Sequence, residues 1–97
     1  MAEELPVKQV VIYSKPGCHL CEDAAVQLYR LRQAHPFELR EVNILSDPET
    51  FERFKHDIPV VFIDGKQSSE HYFDARQFLE HLEGQSQTPD RPAATDN

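Results

Sequence analysis

The sequence contains few cysteines, few glycines and no tryptophan, and it has no long apolar run. Two cysteines and three glycines occur among 97 residues. No segment approaches the roughly 20 consecutive apolar residues that cross a bilayer, so we expect no membrane association. Two cysteines are too few for a framework of stabilising disulfide bonds. In an intracellular protein a lone pair indicates catalysis or metal binding instead.

Positive charge is also scarce. The chain has 10 Lys and Arg residues against 17 Asp and Glu residues, which gives a net charge of −7. Nucleic acids and anionic membrane surfaces are bound by clusters of cations, and the sequence contains no such cluster. We therefore expect no nucleic-acid or membrane partner. The acidic excess is interpreted as a source of solubility.

The N-terminus lacks the basic and apolar regions of a secretory signal. Residues Met1–Leu5 are acidic instead, so we expect a cytoplasmic protein, in which structural disulfides are rare. The length fits one domain with a modest core. We predict a loose lead-in over residues 1–6, one domain over 7–84 and a disordered tail over 85–97. The tail is predicted to be disordered because it has no large apolar residue to bury.

The order of helical and strand patterns predicts an α/β fold. Continuous apolar runs indicate buried strands, and apolar residues at helical spacing indicate helices. A β-α-β start requires a right-handed crossover between parallel strands, whereas a later β-turn-β unit forms an antiparallel hairpin. The order β-α-β-α-β-β-α therefore predicts a four-stranded mixed sheet flanked by helices. The predicted strands are 7–13, 37–43, 60–63 and 71–73. The first predicted helix is 18–34, and a short second helix begins at Asp47-Pro48. Asp74 caps the last predicted helix, which ends at Gly84.

The first helix and the second strand are both amphipathic. On the strand, Phe37, Leu39 and Glu41 share one face because strand side chains alternate. The helix has a predicted apolar face beside Cys21, since apolar residues recur there at helical spacing. Its members are Leu20, Ala24, Leu28 and Leu31.

The cysteines, Cys18 and Cys21, lie between the first predicted strand and the first predicted helix. A Cys-x-x-Cys at this place in a β-α-β pattern is typical of a thioredoxin-like redox motif. At a helix N-terminus, unpaired N–H groups and the helix dipole stabilise a thiolate. We therefore predict that the pKa of Cys18 lies below the free-thiol value of about 8.5. One cysteine can then attack a disulfide and the other can resolve the product.

The run Tyr13-Ser14-Lys15-Pro16-Gly17-Cys18-His19-Leu20-Cys21, with Ile58-Pro59-Val60 downstream, closely resembles the glutaredoxins of the thioredoxin superfamily. The finer resemblance is to a little-characterised branch of small glutaredoxin-like proteins, which share a similar Ser-Lys-Pro-Gly-Cys-His-Leu-Cys-Glu run. That branch also has counterparts of Asp47-Pro48-Glu49 and of residues 58–65. The resemblance covers residues 8–82 and implies a thioredoxin-like fold.

The resemblance implies a thiol–disulfide oxidoreductase that reduces disulfides or glutathionylated thiols. It implies disulfide-bearing or glutathionylated proteins as partners and glutathione as co-substrate. We expect that no other cofactor and no metal is required, and that the protein is a monomer. The resemblance also implies roles for six residues. Cys18 would attack the substrate disulfide, Cys21 would resolve the product, and Pro59 would be a cis proline facing the active-site sulfur. Ile58 would offer its backbone N–H and C=O to the substrate, Lys15 would contact a carboxylate of glutathione, and Asp74 would meet the γ-glutamyl amine.

Two segments differ from the usual glutaredoxin pattern. His19-Leu20 stands between the cysteines where glutaredoxins usually carry Pro-Tyr. A cationic His19 would stabilise the thiolate and make the couple more oxidising, and the alternative is an exposed helix residue without that role. The segment Glu70–Arg76 precedes the last helix without the usual Gly-Gly bend.

Two other functions remain open from the sequence. The first is a non-enzymatic binding module that holds a peptide at the Ile58-Pro59 edge. The second is a metal or iron–sulfur carrier. A structural zinc site requires four ligands, of which one Cys-x-x-Cys supplies two. His71 is a loose candidate for a third ligand, and a cluster shared between two chains is the other way to complete the set.

Overall fold

The computed structural model describes residues 7–84. The predicted lead-in over 1–6 and the predicted disordered tail over 85–97 lie outside the described residues. The elements are β1 Gln9–Ser14, α1 His19–Ala34, β2 Glu38–Asn43, a 3-10 turn Ile44–Ser46, α2 Pro48–Phe54, β3 Val60–Ile63, β4 Lys66–Glu70 and α3 Ala75–Gly84.

The four strands form one mixed sheet in the order β2-β1-β3-β4. Strand β1 runs parallel to β2 and antiparallel to β3, and β3 is antiparallel to β4. The predicted α/β class and four-stranded mixed sheet are confirmed. The central strands β1 and β3 carry the continuous apolar runs because both of their faces are covered. Since α1 follows β1 after a short loop, the cysteine pair lies at the end of a central strand.

The core lies on both faces of the sheet. Val61 of β3 packs in a cluster with α1 and α3, whereas the neighbouring Val60 packs against Phe54 of α2. This alternation follows from the two-residue repeat of a strand. The cluster on the α1 and α3 face contains Val10, Ile12, Ala24, Leu28, Phe37, Val61, Ile63, Phe78 and Leu82.

Helix α1 ends at Ala34, the predicted last residue, and its buried residues are Cys21, Ala24 and Leu28. Leu20, which was predicted to share the apolar face of this helix, is 40% exposed. The contact line with the sheet follows residues 21, 24 and 28. Leu20 lies on the margin of that face, since one residue turns an α-helix by about 100°.

The prediction of a fourth strand over residues 71–73 was also wrong. Strand β4 is Lys66–Glu70 instead, and it begins directly after a tight turn in which Asp64 and Gly65 both have positive φ. Such a two-residue turn fixes the register of a hairpin, so pairing starts at once. Only Ser68 of β4 is buried. An edge strand of this composition has no apolar alternation that a sequence pattern can detect.

Helices α2 and α3 begin at carboxylate caps, as predicted. The Asp47 Oδ2 atom accepts the Thr50 N–H at 3.0 Å, and the Asp74 Oδ1 atom accepts the Arg76 N–H at 3.0 Å. Each cap satisfies a donor that the first helical turn leaves without a partner. None of the helices within residues 7–84 combines the length and the apolar character needed to cross a bilayer.

We expect Leu28→Ala to lower the free energy of unfolding by about 2–5 kcal/mol, because it leaves a cavity in a packed core. Leu28 is completely buried. Leu20→Ala on the same helix is the matched control, and its exposed side chain should cost less than about 1 kcal/mol. Chemical unfolding of the oxidised proteins, followed by circular dichroism, measures both. Equal losses would contradict the assigned face of α1.

Candidate functional site

Cys18 and Cys21 form a disulfide, with their Cα atoms 5.2 Å apart. Cys18 is the N-cap of α1, and its Sγ atom accepts the backbone N–H of Cys21 at 3.2 Å. The sulfur thus takes the place that a Ser or Asp oxygen usually holds at a helix start. The positive end of the helix dipole is directed at the same atom.

The two sulfurs differ in exposure. Cys18 is half-buried, whereas Cys21 is 3% exposed. Cys21 belongs to an apolar group, here called the cysteine cluster, whose buried members are Cys21, Ile44, Phe54, Ile58 and Val60. A partner disulfide therefore reaches Cys18 before it reaches Cys21.

The loop before Cys18 depends on one glycine. Gly17 has a φ of 83°, and a Cβ atom added to it would meet nothing within 4 Å. Glycine is therefore required for its backbone conformation, and not because neighbouring atoms leave no room for a side chain. This left-handed residue turns the chain from Pro16 into the extended backbone of Cys18, which has a φ of −96° and a ψ of 108° as an N-cap requires.

The Ile58–Pro59 peptide bond is cis, as the resemblance implies. Ile58 packs in the cysteine cluster and Pro59 is completely buried. The Pro59 C=O accepts the His71 N–H at 2.9 Å. Within residues 7–84, by contrast, no hydrogen bond engages the backbone N–H or C=O of Ile58. These two groups can pair with an extended peptide.

His71 forms the bend at which glutaredoxins usually have glycines. Its φ is 72°, and its N–H is shared between the C=O groups of Asp57 and Pro59 at 2.7 Å and 2.9 Å. A left-handed conformation is unfavourable for most residues with a Cβ atom. The backbone therefore keeps a glycine-like bend even though the side chain is a histidine.

The remaining predicted site residues are dispersed. Lys15 is exposed and lines a cleft beside Cys21. Asp74 caps α3 with its Oδ1 atom and belongs neither to that cleft nor to the cysteine cluster. His19 has a 95% exposed side chain, and its Nδ1 atom lies 3.7 Å from the Glu22 carboxylate. Solvent therefore screens any charge on His19.

The cleft beside Cys21 is here called the β2 cleft, and it has a volume of about 340 Å³. Sequence reasoning gave no site role to Glu41 or Asn43 of β2, which line it. The one signal was that Glu41 continues the strand face of Phe37 and Leu39, where an apolar residue would be expected. The cleft is lined by Ser14, Lys15, Pro16, Cys21, Glu22, Ala25, Glu41 and Asn43.

A second cavity of about 420 Å³ lies along α2 and includes Arg53. The Arg53 guanidinium stands 4.7 Å from the centre of the Phe54 ring, which in turn stacks on Tyr13 at 4.5 Å. From the sequence, Arg53 was considered as a residue of the groove, but a solvated surface charge was the favoured interpretation. Its cation–π contact holds a positive charge beside the aromatic side chains next to the cysteine cluster.

Residues 7–84 contain no group of three or more His, Cys, Asp and Glu side chains placed to hold a metal ion. His71, the loose ligand candidate, contacts the ring of Tyr72 at 5.1 Å. Its backbone belongs to the bend beside Pro59. A cluster shared between two chains stays an untested alternative.

The chain is similar to proteins of one family. The family model described as Glutaredoxin-like domain (DUF836) matches residues 9–83. A glutaredoxin-like protein of Dictyostelium discoideum is 31% identical over 77 residues, which cover 73% of this chain and 71% of that protein. The family match runs from β1 into α3 and so includes both cysteines and the Ile58–Pro59 bond.

Solved structures show the same architecture. Protein Ne2328 of Nitrosomonas europaea is 26% identical, with a TM-score of 0.71 over 84% of this chain and 99% of that protein. A thioredoxin of Fasciola hepatica is 18% identical, with a TM-score of 0.56 over 78% of each chain, and supports the fold. From its sequence match and its fold together, the chain belongs to the glutaredoxin-like family of the thioredoxin superfamily.

Proposed function

We propose that the protein is a thiol–disulfide oxidoreductase with Cys18 as nucleophile and Cys21 as resolving thiol. The observation that carries this proposal is the position of the Cys18 sulfur. It caps α1, accepts the Cys21 N–H and is more exposed than its disulfide partner. A hydrogen bond and a helix dipole aimed at a sulfur both favour the thiolate, which is the reactive form.

In the proposed reaction the Cys18 thiolate attacks one sulfur of a substrate disulfide. A mixed disulfide with Cys18 forms, and the other substrate sulfur leaves as a thiolate. Cys21 then attacks the Cys18 sulfur, which forms the Cys18–Cys21 disulfide and releases the second substrate thiol. Two molecules of a thiol reductant return the pair to the reduced form and are themselves oxidised to a disulfide.

The edge at Ile58 supports a protein or peptide as the substrate. Its N–H and C=O make no hydrogen bond within the described chain, and its side chain packs in the same cluster as Cys21. An extended segment on either side of a substrate cysteine can therefore pair with this edge. Such pairing would hold the substrate sulfur beside Cys18.

Glutathione is the proposed co-substrate, and glutathionylated or disulfide-bearing proteins are the proposed partners. With a glutathionylated protein, Cys18 attacks the glutathione sulfur and the protein thiol leaves. A second glutathione then releases the first as glutathione disulfide. The Lys15 ammonium and the Asp74 carboxylate are the groups we assign to the charged ends of glutathione. The proposal requires no metal or organic cofactor and places a monomeric protein in the reducing cytoplasm.

A glutathione-coupled assay with a small disulfide tests the assignment of the cysteines. We expect Cys18→Ser to lose activity by on the order of a thousandfold or more, because the nucleophile is removed. Cys21→Ser should keep activity, since glutathione can release the mixed disulfide in place of Cys21. Inactivity of the wild-type protein, with glutathione and with a thioredoxin-reductase couple, would favour the binding module. Activity in Cys18→Ser would contradict the assigned nucleophile.

The role of Asp74 can be separated from its role as a helix cap. Asn is an equally good N-cap, so Asp74→Asn should fold normally. Loss of a hydrogen bond to a charged amine should raise KM for a glutathione mixed disulfide about tenfold, with little change in kcat. Glu80→Gln on the same helix is the control and should leave KM unchanged. An unchanged KM in Asp74→Asn would remove Asp74 from the proposed glutathione site.

A further inference from the structure

Glu41 follows the apolar residues Phe37 and Leu39 on one face of the second strand segment, and Asn43 is the next residue on that face. Phe37 is buried on this face in the cluster with α1 and α3, and Leu39 packs against the same cluster. Two residues further along, the face opens into the β2 cleft, which Glu41 and Cys21 both line. The strand therefore directs a carboxylate towards the space beside the resolving cysteine.

The Glu41 carboxylate has no competing partner in the described part of the chain. No ion pair or side-chain hydrogen bond engages it there. Glu22, the other carboxylate of the cleft, lies 3.7 Å from His19. Glu41 is thus the carboxylate of the cleft that no side chain among residues 7–84 engages.

Cys21 is a thiol that must lose a proton in order to react. It is 3% exposed in an apolar cluster, and burial disfavours the thiolate. Its backbone N–H is directed at the sulfur of Cys18 rather than at its own. The helix terminus therefore assists the first cysteine more than the second. A cleft of about 340 Å³ has room for water that can pass a proton between a thiol and a carboxylate.

We propose that Glu41 is the proton acceptor of the resolving step. This inference rests on the proposed function. In the mixed disulfide, the Cys21 thiol gives its proton through cleft water to the Glu41 carboxylate as its sulfur attacks Cys18. The Cys18–Cys21 bond forms, the bond from Cys18 to the substrate breaks, and the departing substrate thiolate takes a proton from solvent. In the reverse direction the Glu41 carboxyl returns its proton to Cys21 when a reductant opens the disulfide.

The expected direction of the rate change depends on the other charged groups around the cleft. Lys15 and Glu22 line it with Glu41, and His19 faces Glu22. Arg32 of α1 lies at the opposite end of β2, where its Nε atom donates to the Phe37 C=O. If Glu41 acted only as a negative charge, its removal would favour the Cys21 thiolate and accelerate the resolving step. A proton acceptor predicts the opposite change.

Stopped-flow kinetics of the reduced full chain with one equivalent of dithiodipyridine separate the two steps. This disulfide is uncharged, so a change of protein charge barely affects the encounter. The first thiopyridone is released when Cys18 attacks, and the second when Cys21 resolves the mixed disulfide. Cys21→Ser identifies the phases because it should show the first release alone.

In mildly acidic buffer we expect Glu41→Gln to slow the second release about tenfold or more and to leave the first unchanged. The difference should shrink in buffer above the pKa measured for the Cys21 thiol, where the thiolate forms without an internal acceptor. Glu38→Gln, at the other end of β2, should match the wild type at every pH. Glu22→Gln, which removes only a negative charge of the cleft, should leave the second release unchanged or make it faster.

An unchanged or faster second release in Glu41→Gln would overturn the inference, as would a slowing that is the same at every pH. These results are separate from the failure of the proposed function. If the wild-type protein showed no first release, Cys18 would not be a nucleophile at all. A normal first release with an unaffected second release would remove only the role of Glu41.

Discussion

The hydrogen bond from the Cys21 N–H to the Cys18 sulfur is the interaction on which the site depends. At 3.2 Å it makes a sulfur atom the cap of α1. An oxygen in this place would stabilise the helix and do no chemistry, whereas a sulfur can be reduced to a thiolate that the same donor stabilises. The residue that caps the start of the helix is thus also the reactive residue. Gly17 is required because only its left-handed backbone brings Cys18 into the cap geometry.

The fold gives the two cysteines different surroundings. Helix α1 begins just past the C-terminal end of β1, so Cys18 is half-buried at the helix start and Cys21, one turn further along, is buried. Cys21 therefore packs with Ile44, Phe54 and Ile58, in contact with the segment that contains the cis Ile58–Pro59 bond. On the other side of Cys21 the edge strand β2 leaves the β2 cleft open. The attacking sulfur thus meets substrate, while the resolving sulfur is enclosed by apolar groups and one polar cleft.

The sequence was sufficient where a local signal determined the structure. The apolar run Val60–Ile63 is a central strand because burial on both faces favours such a run, and Asp47-Pro48 begins α2 because each residue suits its position in a cap. It was insufficient where the backbone or the tertiary arrangement decided. Strand β4 is held by the hairpin turn at Asp64-Gly65, and its side chains have no strand pattern.

The residues of the site also divide into those that a local signal predicts and those that depend on the tertiary arrangement. The spacing of the cysteines and the Ile58-Pro59 motif are local, and both appear where they were expected. The exposure of Leu20 depends on which residues of α1 meet the sheet. The presence of Glu41 and Cys21 in one cleft depends on the pairing of β1 with β2, which a sequence pattern does not place in space.

The central claim is that the start of α1 makes Cys18 the more acidic thiol. Its most direct test is a pH titration of thiolate ultraviolet absorbance in the reduced single-cysteine variants. The Cys21→Ser variant, which retains Cys18, should titrate below the free-thiol pKa of about 8.5. The Cys18→Ser variant, which retains the buried Cys21, should titrate at a higher pH than Cys18 does. A Cys18 midpoint at or above the free-thiol value, or the reverse order of the two cysteines, would contradict the account.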